Sequence, residues 1–358
     1  MSIYIHIPFC NNICSYCDFC KIFYNEDLVD KYLNALKNEI NLNYKFEKVD
    51  TIYIGGGTPS CLSIKNLKKL FSIIKIFNLN NNIEFTFECN IDSLNKKKIK
   101  FLKSNNINRL SIGVQTFDEN KFELLNRTTN YKKLKNIIDY CNNIKLSNIS
   151  LDLMYGIDSN IDLLKFDLEK LVSLNPKHIS CYSLSLHENT MLYLKNFKPI
   201  NEDIDYKMYK YIIKFLKSNN YNHYETSNFS KKNYESKHNL GYWNNKEYYG
   251  FGLSASGYIN NYRYTNTKNL SKYINNEFLF DKEYIDNDLE IKYELILNLR
   301  TIKGINKKEF FKKYNIDIKS VLNINELLKE KKLLENKDYI FISKKWIYKS
   351  NELFMKLI

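Results

Sequence analysis

Six short apolar stretches, each followed by a segment of helical periodicity, constrain this chain more than any other feature. Ser2–Ile7, Asp50–Ile54, Ile83–Glu88, Asn108–Val114, Asn148–Met154 and His178–Leu184 read as strands. Glu26–Tyr44, Ser63–Phe77, Asp92–Ser104, Asp118–Leu125 with Tyr131–Asn143, and Asn160–Leu174 read as the helices between them, Ser63 serving as an N-cap. Strands that alternate with helices pair in parallel through right-handed crossovers. Six units fall short of the eight that close a full barrel. The expected fold class is α/β, an open, partial (β/α)6 barrel.

Beyond the sixth unit, Glu202–Ser218 reads as a helix and Tyr221–Phe229 as a strand. A tyrosine- and glycine-bearing stretch follows from His238 to Tyr264. Helices at Asp288–Leu299, Lys307–Tyr314 and Val321–Lys331, then a hairpin around Tyr339–Ile342 and Trp346–Tyr348, suggest a smaller winged-helix-like module. The expected division is 1–235 for the core, 236–280 for a connecting region and 281–358 for the C-terminal module.

The polar residues that stand out fall at one end of the strands. A cysteine loop follows the first strand and Gly55–Pro59 the second. Glu88 ends the third, Gln115 follows the fourth and Asp152 ends the fifth. Barrels and open α/β sheets build their sites at these carboxyl ends.

The loop reads HIPFCNNICSYCDF and carries Cys10, Cys14 and Cys17 in a C-x3-C-x2-C spacing. A cube of four irons normally takes four cysteines. Three leave one iron open to a ligand that is not protein. A closed zinc site needs four ligands, with His6 or Cys20 as the candidate fourth. A redox dithiol needs only two cysteines. Three thiolates on one loop with aromatic spacers fit a cluster better, and Cys20 then reads as a free thiol. Cys61, Cys89, Cys141 and Cys181 read as small buried side chains.

GGGTP at Gly55–Pro59 lacks the lysine of a P-loop and the spacing of a dinucleotide fingerprint. Beside a cluster it offers bare backbone to the amino and carboxylate groups of a small ligand. Glu88 suits a ribose hydroxyl or simply a strand end. A buried pair of Arg127 and Asp152 is equally compatible with a structural role. His238, Tyr242 and Trp243 lie in HNLGYW. A histidine among aromatics can ligate a haem iron, and the rings can pack on a macrocycle. On chemistry alone, a packed surface helix with a satisfied histidine is the favoured reading.

Composition excludes some classes. Hydrophobic residues make up 44% of 358, but no run reaches the roughly 18 residues that span a bilayer. The start lacks the basic region of a signal peptide. A cytoplasmic location is expected, where thiols stay reduced and the eight cysteines need not pair. The net charge of +14 comes from lysines scattered along the chain, together with asparagines, a drift expected of an AT-rich genome. It points to no nucleic-acid partner, although a basic surface suits an acidic ligand such as a porphyrin carboxylate.

YIHIPFCNNICSYCDF, IGGGTPS, FECN, RLSIGVQTFD, LDLMYGI, HISCYSLSL and HNLGYW follow one another here. In that order they resemble the radical S-adenosylmethionine (SAM) proteins of the oxygen-independent coproporphyrinogen oxidase group. The resemblance runs from about Ser2 to Asn266 and weakens beyond. Within the group the chain looks most like the HemW haem-chaperone branch. The oxidase branch carries a further cysteine two residues after the triplet, where this chain has Phe19, and the HNxxYW motif from His238 to Trp243 is a feature of the chaperones.

The resemblance implies a radical SAM core in which Cys10, Cys14 and Cys17 hold a 4Fe–4S cluster and SAM chelates the open iron. It implies Tyr4, Gly56, Gly57, Thr58 and Glu88 as SAM-binding residues and Gln115, Arg127 and Asp152 as further cofactor-pocket positions. In the oxidases an electron from the cluster cleaves the sulfonium to a 5′-deoxyadenosyl radical, which takes hydrogen from a propionate side chain. In the chaperones it implies haem bound as cargo, with His238 as a binding residue, and delivered to an acceptor protein. An electron donor such as a flavodoxin or ferredoxin is the other implied partner. The alternative is decarboxylation of coproporphyrinogen III to protoporphyrinogen IX, against which Phe19 speaks. Ile91, Thr129 and Asp158 replace a proline, a histidine and a proline usual in the group, which weakens the implied role of Arg127 more than those of the cysteines.

Overall fold

Strand and helix alternate where the sequence periodicity places them. The computed structural model describes residues 1–357. Strands β1 (Ser2–Ile7), β2 (Val49–Gly56), β3 (Leu79–Asn90), β4 (Arg109–Gln115), β5 (Ile149–Tyr155) and β6 (His178–Ser183) lie side by side in chain order, all parallel. Helices α1 (Glu26–Asn43), α2 (Ile64–Ile74), α3 (Lys96–Ser104), α4 (Tyr131–Asn143) and α5 (Ile161–Ser173) make the crossovers. Asn25, Ser63, Asn95, Asn130 and Asn160 cap them, each side-chain oxygen accepting from a backbone N–H of the first turn. Such a cap is worth about 1 kcal/mol.

The sheet stays open. After helix α6 (Glu202–Ser218), two short strands, Asn222–His223 and Asn228–Ser230, border β6 in antiparallel fashion. Tyr221–Phe229 is thus not one strand, because a turn through Glu225 folds it back, with Asn228 N donating to Glu225 O (3.4 Å). After helix α7 (Lys237–Trp243) the chain returns to the other edge. There β7 (Tyr248–Phe251) joins β1 as a seventh parallel neighbour. Strands β8 (Ser256–Ile259), β9 (Tyr262–Asn266) and β10 (Leu279–Tyr284) extend that side antiparallel, completing twelve strands.

The C-terminal part holds α8 (Asn287–Asn298), α9 (Lys307–Tyr314) and α10 (Ile324–Lys329). Its three-stranded sheet runs Ile305–Asn306, Tyr339–Ile342, Leu333–Glu335. The hairpin partner of Tyr339–Ile342 is therefore upstream, not Trp346–Tyr348. Asn336 makes the turn, its side-chain oxygen accepting from Asp338 N and Tyr339 N, whereas Trp346 N donates to Ser343 O in a turn of its own (2.8 Å).

Alternation across the strands separates two chemistries. Ile52, Ile54, Phe85, Phe87, Leu110, Ile112, Leu151, Leu153 and Ile179 are buried outward, under the helices. Each such burial is worth about 1.5–3 kcal/mol. The residues between them face the lumen: Tyr53, Glu88, Arg109, Ser111, Asp152, His178 and Ser180. A closed barrel of this kind normally fills its interior with branched apolar side chains. A polar lumen is instead a lined cavity.

Candidate functional site

The lumen encloses a cavity of about 330 Å³. The cysteine loop covers its upper end, with Cys10, Cys14 and Cys17 all on its wall. The loop is tied on two sides. Ile22 N donates to Pro8 O (2.7 Å), Tyr24 N to Cys10 O (2.9 Å) and Thr58 N to Phe9 O (2.8 Å). On the far side Ser15 N donates to Leu125 O (3.0 Å), and Asn126 Nδ2 to Ile13 O (2.9 Å). Burial raises the Cys10 thiol and pushes the Cys17 thiol up to about 11. Such thiols become thiolates when a metal compensates the charge.

Neither candidate fourth ligand reaches the cavity wall. The Tyr4 hydroxyl donates to His6 Nδ1 (3.0 Å), and His6 Nε2 donates to the Cys20 carbonyl (2.9 Å). Burial then holds His6 neutral, near a pKa of about 4. Among the described residues, no three His, Cys, Asp or Glu side chains converge as a single bound ion requires. In a cube each cysteine ligates a different iron, so a cube does not ask for that convergence.

The glycine run beneath the loop is required by contact. Gly56 has φ +116°, and a Cβ there would lie 2.7 Å from the His6 ring. A Cβ on Gly57 would meet the Pro8 carbonyl at 2.8 Å and Cys10 Sγ at 2.9 Å. Thr58 Oγ1 lies 3.4 Å from Cys10 Sγ and accepts from Asn90 Nδ2 (3.1 Å). Glu88 accepts from the Tyr53 hydroxyl (2.7 Å) and from Gly56 N (3.0 Å). Burial lifts its carboxyl to about 7 in spite of these bonds.

Arg127 joins three elements. Its Nη2 donates to Asn90 Oδ1 (2.7 Å) and Gly113 O (2.6 Å), and its Nη1 to Cys14 Sγ (3.7 Å). It makes no ion pair with Asp152, whose neighbours are Ser111 Oγ (3.3 Å) and Ser150 Oγ (3.4 Å). Gln115 enters the cavity from a register shift against β5 and holds φ +70°. A bulge of this kind re-aims a side chain at a strand end. The three departures from the group's pattern are absorbed locally. Ile91 is buried, the Thr129 hydroxyl donates to Val114 O (2.6 Å), and Asp158 pairs with Lys121 (2.9 Å).

Two sequence candidates lie elsewhere. Tyr4 and His238 line a second cavity, of about 270 Å³, which shares Tyr53 and Asn239 with the first. His238 is 1% exposed. Its Nδ1 bonds Thr51 Oγ1 and its Nε2 bonds the Tyr242 hydroxyl, both at 2.8 Å. Burial, then the charge of Arg109, lowers it to about 3. Both ring nitrogens are engaged, so this geometry presents the satisfied histidine rather than an iron ligand. Backbone N–H groups of Lys237 and His238 donate to Glu84, fixing α7 against the middle of β3.

Tyr53, Arg109, Ser111, His178 and Ser180 are lumen residues that sequence reasoning missed, and Arg109 is the charged one among them. It opens β4, 2% exposed. The available signal was a lone cation in the otherwise uncharged run RLSIGVQ.

Comparison with known proteins bears on the family and the fold. The radical SAM superfamily profile matches residues 4–171. The fold matches coproporphyrinogen III oxidase (HemN) from Escherichia coli with a TM-score of 0.87 at 20% identity, over 99% of this chain and 89% of that one. The heme chaperone HemW of Lactococcus lactis subsp. lactis is 35% identical, over 100% of this chain and 97% of that protein. The heme chaperone HemW of Bacillus subtilis is 37% identical, over 99% and 98%. The chain belongs to the HemW heme chaperone family of radical SAM proteins.

Proposed function

We propose that this chain binds haem and passes it to an acceptor protein, using a core that holds a 4Fe–4S cluster and SAM. The observation that carries the reading is the three-cysteine wall of the lumen, with His6 bound to the Cys20 carbonyl and neither residue on that wall. Cys10, Cys14 and Cys17 would hold the cluster, leaving one iron for the amino and carboxylate groups of SAM. When bound, the pair supplies one-electron chemistry at the sulfonium.

The chain's own residues have distinct tasks in this reading. Gly56, Gly57 and Thr58 leave room for SAM against the loop. Glu88 is placed to accept from a ribose hydroxyl, and Tyr4 orients His6 beneath the glycines. Gln115, Arg127 and Asp152 line the rest of the nucleotide pocket, and Arg127 also steadies Cys14. His238 holds α7 in place, so haem contact falls to neighbouring surfaces of that segment. Residues 1–235 then act as the radical core, 236–280 as the haem-associated region and 281–358 as an accessory module. An electron donor such as a flavodoxin or ferredoxin completes the set. A reducing compartment, the cytoplasm, suits eight cysteines that are all free. No helix among the described residues is long and apolar enough to cross a membrane.

The test is anaerobic reconstitution followed by three measurements on one sample. The magnetic resonance spectrum of the reduced cluster should change on adding SAM, haemin should bind in stoichiometric amount, and coproporphyrinogen III should be left unchanged. Formation of protoporphyrinogen IX would replace the chaperone reading with the decarboxylase one. A cluster signal indifferent to SAM would remove the radical core from it.

A further inference from the structure

We propose that the floor of the lumen is an anion subsite built on Arg109, taking a carboxylate of the ligand held above it. The proposal rests on the functional reading just given, and deepens it.

Residues 109, 111, 113 and 115 of β4 face the lumen in turn. Arg109 and Gln115 are six positions apart, so their Cα atoms are separated by roughly 20 Å of strand. The cysteine loop lies at the Gln115 end and Arg109 at the other. The Arg109 guanidinium is always charged and is almost wholly buried. Among the described residues it has no hydrogen-bond or ion-pair partner, and its Nε is enclosed without one. Arg127, the other lumen arginine, is by contrast committed to Asn90, Gly113 and Cys14.

A buried cation of this kind is retained against its desolvation cost only when something compensates it. The lumen carboxylates make no direct contact with it. Glu88 is taken by Tyr53 and Gly56, and Asp152 sits among serines. Arg109 acts on both only through space, favouring their charged forms, and disfavours protonation of His178 and His238. Those histidines are also closed off: His178 bonds Ser150 Oγ (2.8 Å) and the Tyr224 hydroxyl (2.7 Å). The cavity wall that Arg109 shares also carries the neutral side chains of Ser111, Ser180 and Asn239.

That arrangement suits a planar monoanion. The guanidinium fork matches a carboxylate in two parallel bonds. A phosphate dianion would meet Glu88 and Asp152 in the same small space. Of the two ligands in the functional reading, haem has carboxylates to spare, its two propionates, whereas the carboxylate of SAM is committed to the open iron at the Gln115 end of the strands.

The experiment uses full-length, anaerobically reconstituted protein and compares wild type with R109Q and R109K. Four probes are titrated: haemin, haemin dimethyl ester, SAM and decarboxylated SAM. Wild type is expected to bind haemin about tenfold or more tightly than its dimethyl ester, the scale of a charged hydrogen bond. R109Q should lose that preference while binding the ester or decarboxylated form unchanged, and R109K should keep part of it. SAM is the control: its preference over decarboxylated SAM reflects the open iron and should be the same in R109Q, and its loss there overturns the propionate assignment. Binding of haemin with no preference over its ester in wild type, or such a preference that survives in R109Q, overturns the subsite and leaves the chaperone reading standing. If wild type binds neither haemin nor SAM, both fall. A second readout needs no ligand: R109M should melt above wild type, because an uncompensated buried charge has been removed. A lower melting temperature shows a structural partner for the guanidinium and overturns the proposal.

Discussion

The Arg127 guanidinium lies 3.7 Å from the Cys14 sulfur while its other nitrogen grips Asn90 and Gly113. One side chain thus ties the cysteine loop to β3 and β4. Arg127→Gln removes the charge and shortens the reach. We expect the protein to fold and to take up iron, but to surrender it to a chelator about tenfold faster, the loss of one charged hydrogen bond. Cys14→Ser is the harsher control, because two remaining thiolates do not hold the cube. It should show little iron or sulfide after reconstitution. Wild-type iron content in Cys14→Ser would contradict the cluster assignment itself.

Gly57→Ala tests the cradle. The added methyl has no flexible neighbour to displace, since it meets the Pro8 backbone and Cys10 Sγ. Overpacking of this kind costs about 1–3 kcal/mol. The loop rather than the sheet should absorb the strain. Thermal unfolding should shift modestly, while reconstituted iron falls severalfold. Equal loss of stability in Gly57→Ala and Gly304→Ala, a glycine at φ +72° beside Ile340 in the C-terminal sheet, with iron retained in both, would show that the site plays no special part.

The parallel units were legible because both periodicities are strong there. Tyr131–Asn143 and Glu202–Ser218 match the structure to the residue. The asparagines that look like compositional drift turn out to cap most of the crossover helices. What escaped depends on distant partners. Nothing local in Tyr248–Phe251 announces that it pairs with Ser2–Ile5. The cysteines stood out by their spacing, and Gly55–Pro59 and Glu88 by their place at strand ends, while their assignment to SAM came from the resemblance. Arg109 did not, because it stands at the start of its strand and matters only through what the other strands withhold from it. His238 was read two ways, and the resemblance favoured the iron ligand. The bonds to Thr51 and Tyr242 favour the plainer reading, which its own neighbours could have suggested, since Tyr242 lies one helical turn away.

His238→Ala separates those roles. Removing the ring leaves the Thr51 and Tyr242 hydroxyls without their buried partner and opens a void beside Tyr53, whose ring centroid lies 5.2 Å away. Unsatisfied buried groups of this kind cost about 1–3 kcal/mol each. We expect a clear drop in melting temperature and an unchanged cluster. The Soret spectrum of bound haem should stay that of wild type when measured well below the melting point. A changed axial-ligand spectrum in His238→Ala, with stability unaltered, would return the histidine to the iron.

Glu39 gives the chain a stability that depends on pH. Its carboxylate lies buried between α1 and β9, accepting from the Tyr273 hydroxyl (2.5 Å), Gly252 N (2.9 Å) and Asn266 Nδ2 (2.5 Å). Burial nevertheless raises it from 4.5 to about 7. The native state therefore holds this proton more tightly than the unfolded chain does. Its contribution is fully present below pH 4.5, declines as the unfolded carboxyl ionises, and is lost once pH passes about 7. A shift of that size corresponds to about 3 kcal/mol. Glu88 and Glu225, lifted to about 7 by burial as well, act in the same direction. Glu39→Gln removes only its own share. The variant starts with a fixed penalty, because an amide nitrogen replaces one acceptor oxygen. The informative quantity is the slope: the stability difference between Glu39→Gln and wild type should move in favour of the variant from pH 5 to pH 7.5 and then level off. Urea unfolding at a series of pH values measures it directly. A difference constant across that range would mean that Glu39 is ionised throughout, its three donors outweighing its burial.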